Sequence, residues 1–381
     1  MRLLISGGGT GGHVYPALAV IEQLRINAQT AAPAQGNPAL LWLGSRTGIE
    51  HPLVQDAGIP FHDIQSGALR GRNLFMASRN VAKVLTGISE SLQILEDFRP
   101  QACFATGGYV MAPVAIACRL RSVPVLIYLP DMTPGLAVRW LSRLAQQVAV
   151  SFPEVAGFFG QKAVVTGYPV RSELLNALAD RRTARQKLTR KLGLDLEDRL
   201  PLLLVFGGSQ GARTINRAVW QAAPALLPAC QILHVIGTRD WPLLEQEGPA
   251  LWDSPVAFRY HPVAYLHEEM AWALASADLA VARAGASVLA EFPLARLPSV
   301  LAPLPGAGSH QRPNAQKLAE SGGTIIIEDG ELAQQLEPTI AALLDDESRR
   351  QAMGAAVGAL ARPQAADNIA RELQRLAAHG R

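Results

Sequence analysis

Twice in this sequence, about half a chain apart, a short apolar run breaks into a glycine-rich turn and then into a helical pattern, a repeat that few architectures accommodate. RLLIS at residues 2–6 leads into Gly7-Gly8-Gly9-Thr10-Gly11-Gly12-His13, and residues 14–25 then carry apolar side chains at helical spacing, with Pro16 in the first turn. LLLVF at residues 202–206 leads likewise into Gly207-Gly208-Ser209-Gln210-Gly211-Ala212-Arg213 and a helical stretch to about Ala223. A glycine turn that opens a helix exposes backbone N–H groups beside the positive end of the helix dipole, which favours phosphate. Each turn therefore reads as the opening of its own doubly wound unit, and 381 residues exceeds what one hydrophobic core usually serves.

Strand and helix alternate through both halves. Apolar runs at 40–43, 102–105, 123–128, 147–150 and 163–166 belong to the first, and runs at 231–236, 256–260, 279–282, 299–302 and 324–327 to the second. That alternation predicts an α/β chain with parallel sheets covered on both faces, built as two Rossmann-like doubly wound domains facing across a cleft. The expected N-terminal domain is 1–166, with 363–381 a helix packing back at the seam, and the expected C-terminal domain is 167–362. Gly167-Tyr168-Pro169-Val170-Arg171 supplies the linker, a charged helix from about 172 to 192 leads into the second domain, and residues 27–38 read as a surface loop.

Composition excludes several classes. With 49% hydrophobic and 18% charged residues the chain is neither disordered nor fibrous, and a net charge of +3 is too small to argue for a nucleic-acid partner. Cys103, Cys118 and Cys230 are odd in number, lie in apolar runs and lack CxxC spacing, so they read as core thiols in a reducing compartment. The N-terminus lacks a signal-peptide pattern and no apolar run reaches the roughly 18 residues of a membrane span, so a soluble or peripheral protein is expected.

Gly7, Gly9 and Gly12 satisfy GxGxxG. A dinucleotide site also wants an acidic residue about 20 positions on, at the end of the second strand, whereas the run at 40–43 ends in Gly44-Ser45-Arg46. Neither loop carries a Walker lysine. Taken singly, each loop is explained by a tight strand-to-helix turn; two together favour a diphosphate or nucleotide-sugar ligand.

Five blocks make the reading specific: Gly8-Gly9-Thr10-Gly11-Gly12-His13, Thr106-Gly107-Gly108-Tyr109-Val110, Gly207 through Arg213, Arg283-Ala284-Gly285-Ala286 through Glu291, and His310-Gln311 with Asn314-Ala315. In order and separation, along nearly the whole chain, they resemble the signature of the MurG family, the peptidoglycan N-acetylglucosaminyltransferases of GT-B fold. The resemblance implies an inverting hexosyltransferase that moves N-acetylglucosamine from UDP-GlcNAc to the 4-hydroxyl of the muramyl sugar of undecaprenyl-diphosphate-linked lipid I, giving lipid II. It further implies a peripheral protein at the cytoplasmic face of the plasma membrane, with no metal and no cofactor, UDP-GlcNAc being a substrate.

By the same resemblance, Glu291 holds the ribose hydroxyls, Gln311 and Asn314 contact the donor sugar, and Met270 lies beside the uracil. Ser209 and the neighbouring Gln210 meet the donor diphosphate with Arg171 nearby, where fixed donors stabilise the leaving UDP, and Ala286 is assigned to donor binding as well. Gly9, Gly107, Gly108 and Tyr109 cradle the acceptor's diphosphate, with Thr10, Gly11 and Gly12 assigned also to the donor. His13 is either the general base for the acceptor hydroxyl or a substrate-binding residue. The family's polar His-Glu-Gln-Asn stretch is replaced here by Leu129-Pro130-Asp131-Met132, which makes Asp131 a second candidate base.

Leu69, Leu74 and Phe75, interleaved with Arg72, Arg79 and Lys83, suit an anionic bilayer surface, in the region of the family's membrane patch. They equally suit a helix that buries its apolar side and leaves a basic face in water. Three other readings stand beside the transferase: a related GT-B enzyme with a different lipid-linked acceptor, a UDP-GlcNAc 2-epimerase, and a UDP-GlcNAc-binding protein with reduced catalysis.

Overall fold

A computed structural model of the chain describes residues 1–31, 36–45, 48–67, 74–208, 211–248, 254–306 and 310–379, with the backbone alone for 31 and 74–79. The chain forms two compact units, Met1–Arg171 with Pro363–Arg381, and Ser172–Arg362.

In the first unit the strands are β1 (Arg2–Gly7), β2 (Ala39–Gly44), β3 (Phe61–Asp63), β4 (Ala102–Gly107), β5 (Val125–Leu129), β6 (Gln147–Val150) and β7 (Ala163–Val165). They form one parallel sheet in the order β3-β2-β1-β4-β5-β6-β7. The second unit holds β8 (Leu202–Phe206), β9 (Gln231–Val235), β10 (Tyr260–Val263), β11 (Leu279–Ala282), β12 (Ser299–Leu301) and β13 (Thr324–Ile326), ordered β10-β9-β8-β11-β12-β13 and again parallel. Central strands such as β4, β5 and β8 are buried along their whole length, as parallel strands covered on both faces must be. In each sheet the strand order reverses beside the glycine-loop strand, at β1/β4 and at β8/β11, and such switch points open a crevice at the strands' carboxyl ends. Both glycine loops sit there.

The C-terminal helix Ala365–His379 belongs to the first unit, packed on the helix Gly11–Ala31 and on β4. Its buried face includes Ile369, Ala370 and Leu373, and Asn27 Nδ2 donates to Asp367 Oδ1 at 3.0 Å while Asn368 Nδ2 donates to the Thr166 carbonyl at 3.2 Å. All three cysteines are buried, and contact with Cys118 together with burial pushes the Cys103 thiol well up. They are core thiols.

Four local expectations need correction. The strand expected at 256–260 starts at Tyr260 and runs to Val263, preceded by a 3₁₀ turn at Ala257–Arg259; Pro262 is tolerated because β10 is an edge strand. The helix expected at 172–192 is two, Ser172–Ala179 and Arg181–Leu192, because Asp180 caps the second by accepting from Thr183 N at 3.0 Å. Residues 27–31, expected in a loop, extend the first helix, which starts at Gly11 and so carries Pro16 in its second turn. Strand β3 had no apolar alternation to betray it, two of its three residues being exposed.

The helix Leu74–Phe98 packs on the helix Met111–Leu120 and buries Val84, Gly87, Ser91 and Leu95, a stripe at helical spacing, while Val81 and Leu85 stay exposed. Among the described residues no helix is long and apolar enough to cross a membrane.

Candidate active site

The first unit assembles its site from the ends of β1 and β4. His13 is the third residue of the helix Gly11–Ala31, and its Nδ1 lies 2.9 Å from the Gly8 carbonyl and 3.3 Å from Thr10 Oγ1. A carbonyl oxygen can only accept, so Nδ1 carries a proton in this bond, and in the neutral ring Nε2 is then the nitrogen with the lone pair. The ring lies against Gly107, where a Cβ would come within 2.7 Å of Nε2.

Gly8 N donates to the Gly107 carbonyl at 3.2 Å, so the two loops pack backbone to backbone. Gly108 has φ +86 and a Cβ there would stand 2.5 Å from the Gly8 oxygen, so only glycine fits. Gly9 also has positive φ, Thr10 is exposed, and Gly11 and Gly12 form the first helical turn. Tyr109 projects outward, 62% exposed, and Asp131 lies half-buried just after β5. Arg171, the last residue of the first segment of this unit, stacks its guanidinium 5.0 Å over the Tyr15 ring.

In the second unit the loop after β8 leads into the helix Arg213–Leu226; Ser209 and Gln210 lie outside the described residues. A buried polar network stands behind the loop. Asp240, with no exposed surface, abuts Gly211, pairs with Arg213 at 3.7 Å and Arg239 at 3.5 Å, and accepts from Asn216 Nδ2 at 3.3 Å. Asn216 Oδ1 accepts from His234 Nε2 at 3.0 Å, which leaves His234 Nδ1 to accept from Tyr260 Oη at 2.8 Å, and Trp220 Nε1 donates to Tyr260 Oη at 2.9 Å. Burial pushes the imidazole of His234 down to about 3 and pushes the Tyr260 phenol up.

Of the other residues expected on the donor side, Asn314 lies beside the end of β11, where Arg283 also sits. Arg283 donates to the Ala302 carbonyl at 3.0 Å and to Thr214 Oγ1 at 2.8 Å and pairs with Asp329, tying the glycine-loop helix to the ends of β11 and β12. Asn314 is fully buried and donates to the Ala284 carbonyl at 3.2 Å, which joins two of the sequence blocks. Gln311 Oε1 accepts from Leu304 N at 2.9 Å. Glu291 is half-buried in the first turn of the helix Val288–Ala295, just after half-buried Ala286, and Met270 is half-buried in the first turn of Glu269–Ser276.

Of the expected membrane residues, Leu69 and Arg72 lie outside the described residues, as do the side chains of Leu74, Phe75 and Arg79, whereas Lys83 is half-buried in its helix. The structure also exposes apolar groups that sequence reasoning did not single out. Leu136 (62% exposed), Trp140 (66%) and Phe158 (48%) line a cavity of about 550 Å³ with Arg139, Arg143 and Lys162. Arg143 stacks 4.7 Å over Trp140 and Arg139 5.6 Å over Phe158, while Lys162 Nζ donates to the carbonyls of Ser142, Arg143 and Ala145. The helix Leu136–Leu141 packs on Met111–Leu120, as does Leu74–Phe98. The signal was present in the run LAVRWLSR at 136–143, exposed aliphatic and aromatic groups next to arginine.

Glu50 was also missed. The acid absent from the tip of β2 comes six residues beyond Gly44, with no exposed surface, and Gly9 N and Ser45 N donate to its two oxygens at 3.0 and 2.9 Å. It faces the glycine loop and is not available to a ribose. Chemically, the first unit offers an imidazole set between two glycine loops, and the second offers a glycine loop buttressed by Asp240 and Asn216, with Arg283 bonded to the helix that follows it.

Comparison with known proteins assigns both halves of the chain to one family. Residues 3–150 match the glycosyltransferase family 28 N-terminal domain and residues 202–369 match the glycosyltransferase family 28 C-terminal domain. The UDP-N-acetylglucosamine–N-acetylmuramyl-(pentapeptide) pyrophosphoryl-undecaprenol N-acetylglucosamine transferase of Desulforudis audaxviator is 40% identical over 396 residues, covering 100% of both chains. Its namesake in Roseiflexus sp. is 38% identical, covering 99% of this chain and 95% of the relative. Among solved structures, Acinetobacter baumannii MurG superposes with a TM-score of 0.74 at 26% identity, covering 98% of this chain and 99% of that one. A Neisseria meningitidis UDP-GlcNAc 2-epimerase bound to UDP-GlcNAc, at 12% identity, TM-score 0.70 and coverage of 98% and 100%, shares the fold alone.

Proposed function

The chain belongs to the MurG family, the UDP-N-acetylglucosamine–N-acetylmuramyl-(pentapeptide) pyrophosphoryl-undecaprenol N-acetylglucosamine transferases, and we propose that it carries out that transfer, from UDP-GlcNAc to the 4-hydroxyl of the muramyl sugar of lipid I. The single observation that carries the proposal is His13, whose Nδ1 is bonded to the Gly8 carbonyl so that Nε2 is the nitrogen left to act as base in the neutral ring, beside the close-packed loops at 8–9 and 107–108. A base so placed removes the acceptor proton as the hydroxyl attacks the anomeric carbon and UDP departs. Charge growing on the departing diphosphate is met by loop N–H groups and guanidinium, so the proposed reaction draws on no metal or organic cofactor.

Donor recognition is assigned to the second unit, with Glu291 accepting from both ribose hydroxyls. Steady-state kinetics test it: Glu291→Ala is expected to raise KM for UDP-GlcNAc about 10–100-fold, the worth of two hydrogen bonds to a carboxylate, with a much smaller effect on kcat. An unchanged KM removes Glu291 from the donor site. Leu129-Pro130-Asp131-Met132 in place of the family's polar stretch favours one alternative, a different lipid-linked acceptor. It would show as transfer to another polyprenyl-linked sugar in preference to lipid I.

We further propose that the first unit docks peripherally on an anionic membrane at the cytoplasmic face. Support comes from the helix Leu74–Phe98 with its exposed Val81 and Leu85, and from the Trp140 surface, both packed on Met111–Leu120. Apolar groups flanked by arginine suit a bilayer interface. Leu136→Ala combined with Trp140→Ala is expected to weaken binding to anionic vesicles about tenfold or more, from the buried area forfeited. Transfer to a short-chain, water-soluble acceptor should be unaffected; equal vesicle binding by the variant would remove this surface from the interface.

A further inference from the structure

Gly8 and Gly9 share one peptide group, and the structure uses both of its ends. Its carbonyl oxygen, Gly8 O, accepts from His13 Nδ1 at 2.9 Å, and its N–H, on Gly9, donates to Glu50 Oε2 at 3.0 Å. Glu50 is fully buried, and its other oxygen accepts from Ser45 N at 2.9 Å, so the carboxylate is anchored to the end of β2. A Cβ on Gly8 would stand 2.3 Å from Oε1 and one on Gly48 2.1 Å from Oε2, so the carboxyl group is packed between two glycine backbones. We propose that Glu50 is a positioning residue for His13, acting through the Gly8–Gly9 peptide as a bridge.

Two physical effects follow from that chain of bonds. An acceptor on the N–H end of a peptide polarises it and makes its carbonyl a stronger acceptor. The stronger carbonyl holds the proton on Nδ1 and leaves Nε2 as the basic nitrogen, as a carboxylate bonded directly to imidazole does in other active sites. Thr10 Oγ1, 3.3 Å from Nδ1, can donate as well as accept, and it would support the opposite tautomer if the carbonyl weakened or turned away. Glu50 also fixes the plane of the bridging peptide, whose neighbour Gly8 N donates to the Gly107 carbonyl beside the imidazole.

The inference rests on His13 being the base of the proposed reaction, but its test does not depend on activity alone. In Glu50→Gln one acceptor oxygen becomes an amide nitrogen that cannot accept, so one of two backbone donors loses its partner. Glu50→Gln is expected to lower kcat about 10–100-fold with KM for UDP-GlcNAc little changed. In a His13→Ala background the same substitution should cost less than about twofold, because the group it acts through is gone. Additive losses in the two backgrounds, or wild-type kcat in Glu50→Gln, would overturn the proposal.

Side-chain ¹⁵N shifts of His13 in the wild-type protein supply a readout free of both turnover and variant stability. The proton is expected on Nδ1, with the Nε2–H form appearing in Glu50→Gln; a wild-type protein with its proton on Nε2 contradicts the bridge whatever the enzyme transfers.

Discussion

His13→Ala is expected to lower kcat by about 10²–10⁴-fold while the thermal midpoint and the KM for UDP-GlcNAc stay close to wild type, since removing a positioned general base costs that much and donor binding is assigned elsewhere. The structure holds the imidazole in the required orientation: Nδ1 donates to the Gly8 carbonyl and the ring is pressed against Gly107, so that in the neutral ring Nε2 is the nitrogen left to accept a proton. Stopped-time transfer assays across pH separate the two roles open to this residue. A substrate-binding histidine would raise KM for the acceptor with kcat spared, and in that event Asp131, half-buried after β5, becomes the base to test.

The largest stability effect is expected at His234. Its two ring nitrogens join Tyr260 to Asn216, and Asn216 in turn reaches the Ile236 carbonyl and Asp240, against which Gly211 packs. His234→Ala should cost about 3–5 kcal/mol, through the cavity and through a buried hydroxyl and amide left unpartnered. The pH dependence carries a definite sign. The imidazole titrates near 6.5 when exposed and is pushed down to about 3 in the fold, so the unfolded chain binds the extra proton first. Its stabilising contribution is complete above about pH 6.5 and is lost progressively as pH falls toward 3. Urea unfolding of the second unit at pH 7.5 and pH 5 should show that loss in the wild type and a flatter response in His234→Phe; parallel pH responses would mean that other groups dominate.

Much of the fold was legible because parallel strands covered on both faces are continuous apolar runs. Strands 147–150 and 279–282 begin and end where the sequence says, and the glycine turns marked both switch points. What was illegible depended on tertiary placement. Pro262 sits in a strand because that strand is an edge, and β3 is a strand because β2 offers it a partner, neither of which a local pattern conveys. Asp180 could have been read as a helix start, since an aspartate before a charged helical run is a capping signal.

The site divides along the same line. His13, the glycines at 107 and 108, and Glu291 stand out through their motifs. Glu50 and Asp240 do not, because an isolated acid in sequence reads as surface, and only the fold reveals that each is buried against a glycine loop. Asn314, expected to touch the donor sugar by resemblance, donates to the Ala284 carbonyl from a fully buried position, a structural task that the motif alone did not convey. The Trp140 surface escaped because its helix is only six residues long and its amphipathic pattern too short to stand out.

The most direct test of the proposed reaction is transfer of labelled N-acetylglucosamine from UDP-GlcNAc to a lipid I analogue by the wild-type protein, with UDP release followed in parallel and an acceptor-free control. The expected result is a disaccharide product whose formation requires the acceptor and equals the UDP released. UDP-GlcNAc binding without acceptor-dependent product or UDP release would contradict the transfer reaction while leaving the donor site in place.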